Sequence, residues 1–93
     1  MNAMISQAIA DGRVLSFSYK GELRTVEPHT YGRKGDGRDS LCGWQTDGGS
    51  GYNFRNYFVD EMSGVAIDSE FFDGPRPGYK RGDSRFSCIY AEL

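Results

Sequence analysis

The 93 residues are 38% hydrophobic and 14% aromatic, which is enough apolar material for one folded domain with one core and too little for a second. A net charge of −2 excludes a uniformly basic surface, which is the usual mark of a sequence-independent nucleic-acid binder. Thirteen glycines against three prolines indicate short strands joined by tight turns.

The first predicted element is a short amphipathic helix over residues 2–11. Ile5 and Ile9 fall on one face of this helix, Asn2 is placed to cap its N-terminus, and Gly12 provides a C-terminal stop. The segment lacks a basic region, and its apolar run is too short for a signal peptide or a membrane span. We therefore expect a cytoplasmic protein that does not associate with membranes.

After the helix the pattern changes to a period of two, which is typical of half-buried strands. In the first strand Leu15, Phe17 and Tyr19 alternate with serines. Pro28 is expected to end the second strand, and residues 69–72 are expected to form a turn of helix. The predicted strands cover residues 13–19, 23–27, 41–46, 52–59, 65–67 and 86–90.

Glycine-rich polar segments separate these strands. The loop over residues 32–40 has neither the spacing of a phosphate-binding loop nor a helix after it, so we interpret it as a hairpin loop. Arg76, Lys80, Arg81 and Arg85 form the densest basic run, either an electrostatic patch or a solvated segment. The other two segments are a turn over residues 47–51 and an irregular connector over residues 73–83.

This order of elements predicts a mainly β fold, a small closed antiparallel β-barrel of five to six strands with an N-terminal α-helix. Closure of the barrel removes sheet edges that invite aggregation. Residues 1–12 form the helix, residues 13–72 the barrel, and residues 73–93 the basic connector with an edge strand. The helix is expected to cover one open end of the barrel.

The two cysteines, Cys42 and Cys88, lie far apart in sequence and have no Cys or His neighbours at metal-ligand spacing. We therefore expect no metal site, and no motif indicates a cofactor. Two buried thiols in a reducing cytoplasm are favoured over a disulfide.

The order of motifs resembles the WYL domain family. The resemblance is carried by LSFSY in the first strand, by R-x-V-E-P over residues 24–28 and by RNYFVDEM over residues 55–62. The closing GPRPGY and IYAEL segments resemble short bacterial proteins that consist of little more than this domain. The resemblance implies an Sm-like (SH3-type) barrel that acts as a ligand-sensing or regulatory module, with a nucleic acid or nucleotide as ligand in several members. It assigns the binding groove to Tyr19, Arg24 and Arg55.

Some positions depart from the family pattern. The tripeptide that names the family falls at residues 39–41, where only Leu41 is kept. Phe58 and Glu61 stand where the family has arginines, so two positive charges are missing from the segment. The chain also contains no DNA-binding helix-turn-helix, and we expect it to act through a partner or as a binder on its own.

Arg24 and Arg55 are the main candidates for binding an anion. Two guanidinium groups from separate strands can form a fork that binds phosphate or carboxylate oxygens bidentately. The alternative is that both arginines form structural ion pairs with Glu27, Asp60 or Glu61.

Aromatic residues and the single histidine complete the candidate groove. Tyr31 and Tyr52, which lie among polar residues and glycines, are candidates for exposed stacking, whereas Tyr57 and Trp44 fit core packing better. His29 is a candidate for the same groove, with a hydrogen-bonded structural histidine as the alternative. The candidate ligand-binding residues are Tyr19, Arg24, His29, Tyr31, Arg55 and Tyr57.

The sequence is compatible with three functions. The leading one is a non-enzymatic binding or regulatory module whose partner is a nucleotide or single-stranded nucleic acid. The alternative is a protein-interaction or oligomerisation subunit, with a protein partner or a homodimer, a degenerate groove and Phe58 as an apolar anchor. A hydrolase with an acid pair among Glu27, Asp60 and Glu61 is the weakest, because no catalytic or cofactor motif is present.

Overall fold

A computed structural model describes residues 2–47 and 53–93 of the chain, so the predicted turn over residues 47–51 lies mostly outside the described residues. The described part is mainly β with one N-terminal α-helix, which confirms the fold class at that level. The elements, in chain order, are α1 (Ala3–Asp11), β1 (Arg13–Tyr19), β2 (Glu22–Lys34), β3 (Asp39–Asp47), β4 (Asn53–Phe58), a short 3-10 helix (Val59–Glu61), β5 (Met62–Phe71) and β6 (Phe86–Glu92).

The helix α1 forms as the sequence predicts. The Asn2 side chain accepts hydrogen bonds from two backbone N–H groups of the first turn. Gly12 ends the helix in the left-handed conformation, with φ of 66°. The face that carries Ile5, Ala8 and Ile9 is buried against the sheet.

The six strands form one antiparallel sheet in the order β4-β3-β2-β1-β5, and β6 pairs with β2. The long strand β2 pairs along its length with β3, while its first half pairs with β1 and its second half with β6. The predicted closure of a barrel is not confirmed, because no backbone ladder joins β4 to β5 within the described residues. Both strands are sheet edges there.

The prediction that Pro28 ends a strand is wrong, since β2 continues to Lys34. Between Val26 and Thr30 this strand has a neighbour only on its β3 side. The register with β3 also shifts between Pro28 and Thr30. Sheets tolerate proline at bulges and edges, so this position accepts it. The shift lets Val26 and Tyr31, five residues apart, both point into the core.

Strand β5 is longer than predicted, and the turn of helix expected over residues 69–72 is not formed. β5 pairs with β1 from Met62 to Phe71, with two register shifts. Its side chains are exposed or only half-buried, and Met62, Val65 and Ile67 pack against the edge of the core. Periodicity therefore gave little signal for its ends. The last strand, β6, confirms and extends the prediction over residues 86–90.

The two faces of the sheet are covered differently. The inner face packs against α1 and holds the core, with Leu15, Phe17, Val26, Leu41 and Tyr57. The connector, defined here as residues 72–85, contacts the opposite, outer face through its ring contacts and ion pairs.

Both cysteines are free thiols. Cys42 in β3 is buried, as predicted, whereas Cys88 is exposed, because it lies on the edge strand β6. No helix within the described ranges has the length and apolar character that crossing a bilayer requires.

Candidate functional site

Cross-strand pairing places Arg24 and Arg55 on the inner face of the sheet. Arg24 in β2 lies opposite Phe17 of the core. Gln45 in β3 lies opposite Val26, two residues along the strand from Arg24. Arg55 in β4 pairs with the residue two positions before Gln45. Because side chains alternate between faces, three neighbouring strands direct these polar side chains to one face.

Hydrogen bonds join Arg24 and Tyr57 to Gln45. Arg24 Nη1 donates to Gln45 Oε1 at 3.1 Å, and the Tyr57 hydroxyl donates to the same oxygen at 2.7 Å. Arg24 Nη2 donates to the Tyr19 carbonyl at 3.2 Å, and its guanidinium lies 5.8 Å from the Tyr19 ring centroid. Arg24, Gln45, Arg55 and Tyr57 are referred to below as the arginine cluster.

The charges of both arginines act on the Tyr57 hydroxyl. Burial raises the pKa of Tyr57 to about 12, and the positive charges of Arg24 and Arg55 oppose that rise. The hydroxyl is therefore protonated at neutral pH. It acts as the donor that fixes the Gln45 side chain between the strands.

Arg24 and Arg55 do not form the ion pairs that the alternative interpretation assigned to them. Glu27 binds Arg76 in a bidentate pair at 2.8 and 2.9 Å. Asp60 and Glu61 both bind Arg38, at 2.8 and 2.9 Å. Within residues 2–47 and 53–93, no carboxylate lies at ion-pair distance from either arginine of the cluster. The ion-pair alternative is wrong for this part of the chain.

The two arginines carry unpaired donors instead. The Nε atoms of Arg24 and Arg55 are both buried without a hydrogen-bond acceptor among the described residues. A buried donor without a partner costs about 1–3 kcal/mol. Both side chains are half-buried, so part of each remains accessible. Acceptor oxygens from a ligand would satisfy the guanidinium donors.

Tyr19 and Tyr57 form the aromatic support of the cluster. Their rings pack edge to face with centroids 5.1 Å apart, and Tyr57 packs in the same way on Phe17 at 5.0 Å. The Tyr19 hydroxyl accepts a hydrogen bond from the Phe58 backbone N–H at 3.0 Å. Both tyrosines are buried, so they hold the arginines in place rather than offer open stacking surfaces.

Tyr31 is fully buried, and the exposed stacking role predicted for it is not supported by its position. Its ring packs edge to face on Tyr90, and its hydroxyl accepts a hydrogen bond from the Asn2 backbone at the start of α1. Tyr31 therefore ties the helix to the sheet. Tyr52, the other stacking candidate, lies outside the described residues.

His29 is fully buried on the outer face, so the structure does not bring it to Arg24. Its Nε2 accepts a hydrogen bond from the Arg76 backbone N–H at 3.1 Å, and its Nδ1 lies 2.8 Å from the Glu27 carbonyl. The acceptor role of Nε2 places the proton on Nδ1. Burial lowers the pKa of His29. This position matches the structural alternative.

Phe58 and Glu61, the departures from the family pattern, belong to one local structure. The Arg38 guanidinium lies 3.5 Å from the centroid of the Phe58 ring and binds Asp60 and Glu61. Phe58 is half-buried under that guanidinium. An apolar anchor at Phe58 would therefore require Arg38 to move.

Most of the basic run in the connector is ion-paired. Arg76 binds Glu27, while Arg81 binds Glu92 at 3.3 Å. Arg85 binds Asp83 at 2.6 Å. All three side chains nevertheless remain exposed, so the segment is solvated as well as ion-paired. Asp83 lies in the connector itself, whereas Glu27 lies in β2 and Glu92 in β6. The sequence of the basic run therefore did not predict the last two ion pairs.

Sequence reasoning missed Gln45, the central residue of the cluster. Leu41, Gly43 and Gln45 alternate along β3, so a polar side chain at an inward position was a usable signal. The chain matches no protein-family model, no curated protein and no solved structure. The arginine cluster is therefore interpreted from its own chemistry, which is rich in cationic hydrogen-bond donors and suits an acceptor-rich anion.

Proposed function

We propose that this protein is a non-enzymatic binding or regulatory module that takes an anionic ligand, a nucleotide or single-stranded nucleic acid, at the arginine cluster. One observation carries the proposal. Arg24 and Arg55 share one face of the sheet, each with a buried Nε that lacks an acceptor and with no acidic partner among the described residues. Membership of the WYL family and an Sm-like barrel architecture are part of the same proposal.

A phosphate group suits the cluster chemically. Its oxygens accept charge-assisted hydrogen bonds from two guanidinium groups at once, and such bonds are about twice as strong as neutral ones. The net charge of −2 disfavours a long duplex held by diffuse attraction. A nucleotide or a flexible single strand can instead present one or two phosphates to half-buried arginines.

The positions of the other titratable groups support a binder rather than an enzyme. The only histidine, His29, uses both ring nitrogens inside the fold and has no free nitrogen for a substrate. The three carboxylates considered as an acid pair are held by Arg76 and Arg38. Each of these carboxylates therefore already has a guanidinium partner within the fold.

The test is a titration of the full chain with a labelled oligothymidylate, followed by fluorescence anisotropy at about 50 mM and about 200 mM salt. Arg55→Met removes the charge and keeps most of the apolar stem. We expect it to weaken binding about tenfold or more, because a lost charge-assisted hydrogen bond costs about 1.5–3 kcal/mol. Arg33→Ala removes the same charge from an exposed position on β2 outside the cluster and should leave the affinity nearly unchanged.

Two results would overturn the proposal. One is the absence of binding by the wild-type protein at low salt. The other is an unchanged affinity in the double variant Arg24→Ala with Arg55→Ala, provided that circular dichroism shows a folded protein. A folded chain that binds no oligonucleotide and elutes as a dimer would favour the protein-interaction alternative.

A further inference from the structure

The middle of the connector is held in place by contacts of Arg76 and Tyr79. Arg76 binds Glu27 of β2, and its guanidinium lies 5.4 Å from the Trp44 ring centroid. Further along, the Tyr79 hydroxyl donates to the Leu93 carbonyl at 3.0 Å. The connector is thus attached to the sheet through side chains and the chain end, not through strand pairing.

A cleft of about 410 Å³ lies between the connector and the sheet. Its floor is formed by Thr30, Cys42 and Phe54 from three strands, and its wall by residues 78–85. Binding sites for small molecules have volumes of about 300–1,000 Å³ and combine apolar surface with a few polar groups. The cleft falls within this range, at its lower end.

The cleft is positively charged, in contrast to the whole chain. Lys80, Arg81 and Arg85 line it, against one acidic side chain, Asp83. Arg85 is paired with Asp83, and Arg81 with Glu92. Lys80 forms no ion pair within the described residues. An exposed cation without an ion pair among the described residues, beside two ion-paired arginines, favours an anionic ligand.

The floor of the cleft offers fixed aromatic surface. The Phe54 ring packs edge to face on both Trp44 and His29, with centroids 5.1 Å apart in each pair. The Tyr79 ring also packs on His29, with centroids 5.2 Å apart. Gly78 lies close to this floor, because a Cβ added to it would be in van der Waals contact with the Phe54 ring at 3.7 Å. A flat ring can pack on such a floor with little loss of side-chain entropy.

We infer that this cleft is a second binding site, for a small anion that carries a planar ring and has the size of a nucleoside monophosphate. The ring packs on Phe54 and Tyr79, and the phosphate contacts Lys80 and Arg85. The site is separate from the arginine cluster, because the two lie on opposite faces of the sheet. A ligand in the cleft would bridge the connector to the sheet.

The experiment is a titration of the 15N-labelled full chain with adenosine monophosphate, followed by heteronuclear NMR. We expect saturable shifts of the Gly78 and Gly82 backbone amides, which line the cleft. Lys80→Glu should weaken binding about tenfold or more through charge repulsion. Arg33→Glu makes the same change of two charge units outside the cleft and should leave the affinity reported by these two amides nearly unchanged.

Adenosine and inorganic phosphate, titrated separately, test the two parts of the ligand. We expect each to bind at least about tenfold more weakly than adenosine monophosphate, since each makes only half of the contacts. The inference is overturned if the Gly78 and Gly82 shifts do not saturate, if Lys80→Glu binds like wild type, or if either half binds as tightly as the whole. Shifts confined to the arginine cluster would also overturn it and would leave the proposed function intact.

Discussion

Both ring nitrogens of His29 are hydrogen-bonded inside the fold, and the bond to Nε2 requires a neutral ring. The groups that face this histidine are the Glu27 carboxylate, the Arg76 guanidinium and the Tyr79 ring. Burial lowers the pKa of His29, and the charge of Arg76 acts in the same direction, while Glu27 opposes them. Protonation would turn Nε2 into a donor that faces the Arg76 N–H.

The sign of the pH dependence follows from this lowered pKa. The unfolded chain binds a proton at His29 below about pH 6.5, whereas the folded chain resists it to lower pH. The contribution of His29 to stability is therefore fully present above about pH 6.5 and is lost as the pH falls toward the folded pKa. We expect urea denaturation to give a free energy of unfolding that falls with pH below about 6.5, by up to about 1.4 kcal/mol per unit.

The variant His29→Gln isolates this effect, because glutamine does not titrate. It should lower stability at neutral pH and flatten the pH dependence below about pH 6.5. Carboxylates elsewhere contribute equally to the pH dependence of both proteins. Their effect therefore cancels when the unfolding free energy of the variant is subtracted from that of the wild type. Parallel curves for wild type and variant would contradict the role assigned to His29.

The ion pair between Arg76 and Glu27 leads to a second prediction at the residue scale. The Glu27 side chain is 8% exposed and the Arg76 side chain 43% exposed. Arg76→Ala leaves a buried carboxylate without its cation, and we expect a loss of about 1–2 kcal/mol, since solvent screens the exposed partner. Thermal or urea unfolding measures the change.

A double-mutant cycle separates the charge from other contacts of Arg76. In a Glu27→Gln background the same Arg76→Ala change should cost less, because no buried charge is left behind. Arg81→Ala is the control, since its side chain is 72% exposed and its ion pair should contribute less than about 1 kcal/mol. Equal costs of Arg76→Ala in both backgrounds would show that the pair is not coupled.

At the scale of elements, β6 depends on a single glycine of β2. A Cβ at Gly32 would collide with the Cys88 carbonyl oxygen and lie 3.0 Å from Ile89 Cα, both backbone atoms of β6. Backbone atoms cannot move aside without breaking the ladder. We expect Gly32→Ala to lower the free energy of unfolding by about 1–3 kcal/mol and to speed hydrogen exchange of the β6 amides.

Gly35→Ala is the matched control, because a Cβ there meets nothing within 4 Å and no left-handed φ is required. It should leave both the stability and the exchange of β6 nearly unchanged. If Gly32→Ala also left the β6 amides protected, the close approach of β2 and β6 would be wrong.

The elements with a clear period were predictable from the sequence. The helix α1 has caps at both ends, and β1 has strict alternation, so their bounds agree with the structure. The extent of β2 beyond Pro28 was not predictable, because it depends on the partner strands that β2 gains and loses along its length. The C-terminal end of β5 was not predictable for a similar reason, since its last three residues are exposed and pairing with β1 defines it.

The candidate site was also only partly predictable from the sequence. Arg24 and Arg55 were identifiable as strand residues, and antiparallel pairing then places them on one face. The position of His29 on the outer face was not predictable. It depends on the register shift after Pro28 and on the contact with the connector, and both arise from residues distant in sequence. Sequence also gave no sign that Arg76, and not an arginine of the groove, would neutralise Glu27.

At the scale of the whole molecule, one sheet separates two cationic sites on a chain whose net charge is −2. The arginine cluster lies on the inner face and the cleft beneath the connector lies on the outer face. Such an arrangement limits electrostatic attraction to short distances, because the acidic remainder of the surface opposes it. Binding of a polyanion then depends on a small number of direct contacts.

Because only a small number of phosphates would be contacted, we expect the binding of oligothymidylate to depend only weakly on salt concentration. Each phosphate neutralised on a single strand contributes about −0.7 to the slope of log K against log salt, so two arginines give about −1.4. Arg55→Met should reduce the slope to about −0.7, and Arg33→Ala should leave it at the wild-type value. The contrary outcome is a steep wild-type slope that Lys80→Glu reduces and Arg55→Met does not. It would place the oligothymidylate along the connector, because the counterions released would then come from the outer face.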